Sequence, residues 1–343
     1  MKSIAFFNNK GGVGKTTLAV NMAYYLSTKR SARVLFVDCD PQCNSTQILL
    51  SESEWGDIYS NSSHANDRTI LKTIHQLRIG NSEIDKNIPV IRSKNFKVDV
   101  LAGHPFLSLL EDILSESWTS FAGGNYGAAV RSHWASQLVD SANYDFVIFD
   151  VGPSLGALNR SVLIGSDVFI TPVSPDLFSL YSFDNLKTWF TNWSKTYSRG
   201  VAATLSENPD LESGRIQMWE HPGVRAVFAG YTTQEYLTRS TEGKARTVQA
   251  YDLYKKQIPE RAQLLAKSLG TEIADYDLGV VPYMFSMVPL AQTAHAPIFG
   301  LTSSDGLTGA QFSQQKRYSV RLAAIGDRLL ENLASIEGHG RSL

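Results

Sequence analysis

The sequence predicts an α/β fold: a mostly parallel, twisted sheet with helices on both faces. Three observations carry that reading. Short apolar runs of strand length recur at 4–7, 33–38, 98–103, 144–150, 167–173, 224–230 and 279–282. Stretches with helical spacing of apolar residues separate most of them, the alternation expected of parallel strands joined by crossover helices. Two of the runs end on an acid, Asp38 and Asp150, and an open parallel sheet places its ligand crevice at the carboxyl ends of its strands.

With 343 residues, 43% of them hydrophobic, the chain can bury a large core and reads as a single domain over 1–343. A formal charge of −1 excludes a wholesale polycationic coat for nucleic acid but leaves a local patch open. Two cysteines, Cys39 and Cys43, are too few for a disulfide scaffold and fit a reducing compartment. No apolar run approaches the roughly 20 residues of a spanning helix. The chain runs straight into its first strand, with no charged region and apolar stretch ahead of it. The expectation is a soluble, cytoplasmic protein.

The first strand, Ile4-Ala5-Phe6-Phe7, leads into Lys10-Gly11-Gly12-Val13-Gly14-Lys15-Thr16-Thr17. Leu18, Asn21, Met22, Tyr25 and Leu26 then fall at helical spacing. Strand, glycine loop and helix make the context of a phosphate-binding loop. Glycines let successive amides turn inward around an anion, and the helix N-terminus adds partial positive charge. In such a loop Lys15 reaches the β- and γ-phosphates and the Thr16 hydroxyl ligates Mg²⁺, so ATP with Mg²⁺ is the expected ligand. The general pattern has glycine at position 9. Asn9 stands there instead, and a second lysine, Lys10, follows.

That variant, KGGVGKTT, resembles the deviant Walker A loop of the ParA/MinD family of ATPases, which also includes the nitrogenase iron protein. The resemblance implies that Lys10 crosses a dimer interface to the partner's nucleotide, so that ATP joins two copies face to face. A flexible cationic stem can neutralise phosphate charge in trans, as an arginine finger does.

Two further segments share the resemblance. Asp38-Cys39-Asp40-Pro41-Gln42 is similar to the family's D-x-D-P-Q, which implies that Asp40 positions the attacking water and Asp38 helps hold hydrated Mg²⁺. Tyr144 to Asp150 resembles the Walker B strand, with Asp150 holding Mg²⁺ through water opposite Thr16. The following Val151-Gly152-Pro153-Ser154 has Gly152 where the family has a proline, which makes this switch loop more mobile. Cys39 and Cys43 lack a nearby histidine and read as small packing residues rather than a metal pair.

Elsewhere the sequence predicts helices at 105–116, 128–142 and 181–193, and a polar surface insertion at about 51–95 with a helical stretch around Ile70, Ile74 and Leu77. A second insertion covers about 194–275. A C-terminal helix over 311–335 carries Val320, Ala324, Leu329 and Leu333 inward. By analogy with the family, adenine lies near the Pro282 loop and the segment after Gly230.

The resemblance implies a ParA-like partition or positioning ATPase, slow and stimulated by a partner protein, whose ATP-bound dimer holds DNA non-specifically in a nucleoid-associated cytoplasmic location. Such binding needs a basic surface. Residues 239–267 carry seven basic side chains (Arg239, Lys244, Arg246, Lys255, Lys256, Arg261, Lys267) against three acids, Glu242, Asp252 and Glu260. Lys316, Arg317 and Arg321 form a second cluster. The plainer alternative is a solvated helical face. Two other readings use the same loop. A MinD-like membrane ATPase would need a basic amphipathic C-terminal helix with bulky residues, and Ser335 to Leu343 has few large apolar side chains. A small-molecule ligase is the other. Electron transfer like that of the iron protein would need cysteines placed to bridge a cluster between subunits, whereas both lie in the nucleotide segment.

Overall fold

The computed structural model describes residues 2–60, 62–210, 226–235 and 245–338. Among the described residues eight strands form one sheet: β1 (Lys2–Phe6), β2 (Val34–Asp38), β3 (Ile91–Ser93), β4 (Val98–Leu101), β5 (Phe146–Asp150), β6 (Val168–Val173), β7 (Val227–Gln234) and β8 (Asp277–Val281). Their order is β3-β4-β2-β5-β1-β6-β7-β8. Every pairing is parallel except that of β3 with β4. The expected α/β sheet is therefore present, with β1 in its interior between β5 and β6.

The helices are α1 (Lys15–Lys29), α2 (Asn44–Leu49), α3 (Glu52–Ser60), α4 (Ser62–Arg68), α5 (Ile70–Arg78), α6 (Leu110–Ala122), α7 (Tyr126–Ser132) and α8 (Trp134–Ser141). They continue as α9 (Ala157–Gly165), α10 (Leu177–Glu207), α11 (Ala245–Ser268), α12 (Met287–Thr293) and α13 (Gln311–Gly338). Two cores follow from the alternation of side chains along each strand. Ile4 and Phe6 of β1 join the core under α1 and α13, and Ala5 and Phe7 join the one under α6, α9 and α10. A sheet covered on both faces explains why its central strands read as unbroken apolar runs.

Several elements differ from expectation for local reasons. Helix α13 turns Tyr318, Leu322, Ile325, Leu329 and Leu333 inward, while Val320 is 63% exposed and Ala324 is also exposed. Gly326 marks the close approach of α13 to α1: a Cβ there would stand 2.5 Å from the Tyr25 ring, so a residue without a side chain favours this phase. The helix expected over 128–142 is interrupted at His133, whose buried ring hydrogen-bonds the Ala129 carbonyl at 2.7 Å and the Tyr197 hydroxyl at 3.1 Å. Helices α3, α4 and α5 fall in the expected surface insertion, and Ile58, Ile70, Leu71, Ile74 and Leu77 are buried there. The run expected to end at Gly230 continues to Gln234. Gly230, at φ +137°, sits at an irregularity in the sheet where a Cβ would meet the Tyr276 carbonyl at 2.6 Å. Val224 and Arg225, at the start of that expected run, lie outside the described residues.

Candidate nucleotide site

The loop between β1 and α1 turns through two left-handed glycines, Gly12 at φ +72° and Gly14 at φ +78°. A side chain is strained in that conformation. At Gly14 a Cβ would also displace Gln234, since it would lie 2.4 Å from Nε2, the same nitrogen that donates to the Val13 carbonyl at 3.0 Å. Gly14 is the N-cap of α1 and supplies no side-chain cap. The first amides of that helix are thus left for an anion, where the helix dipole favours negative charge. Asn8 braces the loop from below. It donates to the Pro172 carbonyl at 2.7 Å and accepts from the Lys10 amide at 2.8 Å and the Ser182 hydroxyl at 2.6 Å.

The predicted charged residues converge here. Lys15 is buried and donates to the Lys10 carbonyl at 3.2 Å. Burial lowers its pKa, and the charges of Asp150 and Asp40 oppose that shift. Asp150 closes β5 one strand away, opposite Phe6 in register. Burial, reinforced by the charge of Asp38, raises its pKa to about 7; the Thr16 hydroxyl and the Lys15 ammonium favour its charged form. Both Asp150 oxygens are buried without a well-formed hydrogen bond. An orphaned carboxylate facing a hydroxyl is a donor set that fits a hydrated divalent cation.

Asp38 is fully buried, and burial raises its pKa to about 6 despite hydrogen bonds that favour the charge. Its Oδ2 accepts from the Thr46 amide and hydroxyl at 2.8 and 2.6 Å, and Oδ1 from the Asp40 amide at 3.2 Å. It thereby anchors the segment from 40 to 46. Asp40 faces the next loop: a Cβ on Gly152 would stand 3.3 Å from Asp40 Oδ1, so the glycine lets the two loops touch. Cys39 and Cys43 are free and buried; burial pushes the Cys43 thiol up to about 12.

Lys10 points away from Lys15. Its ammonium pairs with Asp176, which also caps α10 through the Ser179 amide at 3.0 Å. The start of α10 exposes Leu177, Phe178 and Tyr181. A groove of about 570 Å³ opens beside the loop, with Gly12, Gly14 and Thr17 on one wall and Pro282, Tyr283 and Phe285 on another. The Tyr283 and Phe285 rings meet edge to face at 4.7 Å and are about half exposed.

Residues 1–202 match the model of an AAA domain family, AAA_31. The chain belongs to the ParA/MinD family of P-loop ATPases. The virulence plasmid ParA family protein pGP5-D of Chlamydia psittaci is 30% identical over 221 residues, 64% of this chain and 70% of that protein. The chromosome-partitioning ATPase Soj of Thermus thermophilus is 24% identical over 281 residues, 80% and 88% of the two chains. Protein DIP2308 from Corynebacterium diphtheriae has a crystal structure that superposes with a TM-score of 0.73 at 36% identity, covering 86% of this chain and 97% of that one. The fold is also that of cobyrinic acid a,c-diamide synthase from Mycobacterium smegmatis, with a TM-score of 0.55 at 17% identity.

Sequence reasoning missed four residues of this ParA/MinD-type site. Asn8, Thr46 and Gln234 act through ordinary polar contacts that leave no motif. Asp176 was legible as a helix cap, an acid just before an apolar run, but its pairing with Lys10 was not. Of the predicted basic patch, Lys255, Lys256 and Lys267 are exposed on α11. Arg261 is held by Asp184 at 2.8 Å and Arg321 by Glu235 at 3.1 Å. Lys316 and Arg317 are exposed on α13. Arg246 falls within α11; Arg239 and Lys244 lie outside the described residues. Among the described residues no helix is long and apolar enough to cross a membrane.

Proposed function

We propose that the chain is a cytoplasmic ParA-like switch that binds ATP with Mg²⁺, pairs with a second copy while ATP is bound, and hydrolyses it slowly until a partner protein stimulates it. The observation that carries this reading is the placement of Lys10. Its ammonium pairs with Asp176, the N-cap of α10, and the first turns of that helix expose Leu177, Phe178 and Tyr181, so a cation and apolar side chains share the start of one helix. Contact with a second copy would bury those side chains and carry Lys10 from Asp176 to the other nucleotide's phosphates.

The residues divide the work. Amides of residues 11–17 and the Lys15 ammonium hold the β- and γ-phosphates. Thr16 and Asp150, with Asp38 beside them, would hold the Mg²⁺, which supplies charge neutralisation at the phosphates. Asp40 orients the attacking water, and Lys10 acts from the second copy. Adenine takes the groove walled by Pro282, Tyr283 and Phe285.

A Lys10→Ala protein is expected to bind a fluorescent ATP analogue within about threefold of wild type, since the pocket of its own chain is intact. It should show no ATP-dependent rise in light scattering. A normal rise would remove Lys10 from the interface.

DNA is the proposed cargo-holding surface's ligand, through Lys255 and Lys256 on α11 and the groove of about 520 Å³ that Lys255 shares with Arg321 and Arg328. In filter binding with random duplex and ATP, reversing both lysine charges should weaken retention and reduce the salt slope by about 2. An unchanged salt titration would take these lysines out of the interface.

A further inference from the structure

We propose that Glu111 is a positioning residue for ATP hydrolysis, fixing from α6 the far end of the switch loop that faces Asp40. The inference rests on the ATPase reading above. The loop leaves β5 at Asp150 and enters α9 at Ala157. Helix α9 has Gly156 at its N-cap and so no cap of its own. Glu111 supplies one from another helix: Oε1 accepts from the Ala157 amide at 2.5 Å and Oε2 from the Leu158 amide at 2.9 Å. A carboxylate there satisfies two free amides and meets the positive end of the helix dipole.

Gly156 is extended, with φ −74° and ψ −177°, a conformation open to any residue. The backbone therefore does not require glycine at this point. What a side chain would cost is the Glu111 contact, because a Cβ would stand 2.2 Å from Oε1 and the carboxylate would have to give way. A serine or aspartate here would cap α9 locally, and the chain has a glycine that admits a remote carboxylate instead.

From α9 the constraint runs back to the reacting end. Asn159 Nδ2 donates to the Gly152 carbonyl at 2.8 Å and the Ser154 carbonyl at 2.7 Å, and Trp189 Nε1 to the Leu155 carbonyl at 3.2 Å. Gly152 in turn stands against the Asp40 carboxylate. Any displacement of α6 is thus handed through Glu111, α9 and Asn159 to the backbone beside Asp40.

A cap with a purely structural role would be replaceable by a local one, and that difference is measurable. Phosphate release, binding of a fluorescent non-hydrolysable ATP analogue and thermal melting are compared for wild type, E111Q, E111A and the double variant E111A/G156S. Removing Glu111 vacates the space that a serine in place of Gly156 needs. E111A is expected to melt lower and to lose roughly ten- to a hundredfold in kcat, the scale of an ångström-sized misplacement, with analogue binding within about threefold. The double variant should recover the melting temperature but not kcat, and E111Q, with one acceptor left, should fall between. Recovery of kcat together with stability in the double variant overturns the proposal, as does wild-type turnover by E111A. If E111A does not fold, the double variant and E111Q decide on the same criteria. A wild-type protein that releases no phosphate from ATP overturns the ATPase reading itself.

Discussion

Replacing Lys15 by alanine is expected to lower kcat/KM for ATP by at least about a thousandfold, because in the proposed mechanism the loop's buried ammonium is the charge that follows the γ-phosphate into the transition state. The surroundings amplify the loss. Burial disfavours the Lys15 charge, while the charges of Asp150 and Asp40 favour it, so its removal leaves those acids to repel both one another and the incoming phosphates. Lys15→Arg should not rescue, since the site is closed around a slender stem and only 8% of Lys15 is exposed. Single-turnover hydrolysis with radiolabelled ATP measures the effect. Activity of Lys15→Ala within tenfold of wild type would mean that phosphate is held elsewhere.

Asp150→Asn should separate stability from activity. A buried carboxylate whose folded pKa, about 7, exceeds its unfolded value opposes folding once it ionises. The nucleotide-free protein therefore loses stability as pH rises from about 4 to 7 and levels off above that. Asp38, raised to about 6, adds to the same trend. Removing the Asp150 charge should stabilise the nucleotide-free protein at pH 8 by about 2–4 kcal/mol and flatten the dependence between pH 5 and 8. The same change should abolish Mg²⁺-dependent hydrolysis. Thermal melts in chelator at pH 5 and 8, beside an ATPase assay, test both halves. A variant that melts lower than wild type at pH 8 would show that Asp150 is internally compensated.

The phosphate loop, the two acid-tipped strands and the sheet were legible because each is written in a short contiguous stretch. Gly12 and Gly14 announce a turn, and Val34 to Asp38 announce a buried strand and its tip. What the sequence concealed is assembled across distance. Asn8 meets Ser182, Lys10 meets Asp176 and Val13 meets Gln234, pairs that no periodicity can register. Gly230 inside an apolar run was a readable sign of a bulge, and taking it as an end point lost Gln234. Val320 and Ala324 were misassigned because an apolar stripe gives a helix face only to within about one residue; the close seat of Gly326 on Tyr25 fixes the rest. The basic patch was visible as composition, but the ion pairs that occupy Arg261 and Arg321 were not.

The place of β1 between β5 and β6 has a consequence for biosynthesis. Strand β1 is an interior one, and its neighbours at 146–150 and 168–173 are translated well over a hundred residues after it. Until then Ile4, Ala5, Phe6 and Phe7 present two open edges and two apolar faces, a template for wrong pairing. Contacts so far apart in sequence make a slow-folding topology. The strand that opens the phosphate loop thus gains its native neighbours on both sides only once the residues of β6 have been made.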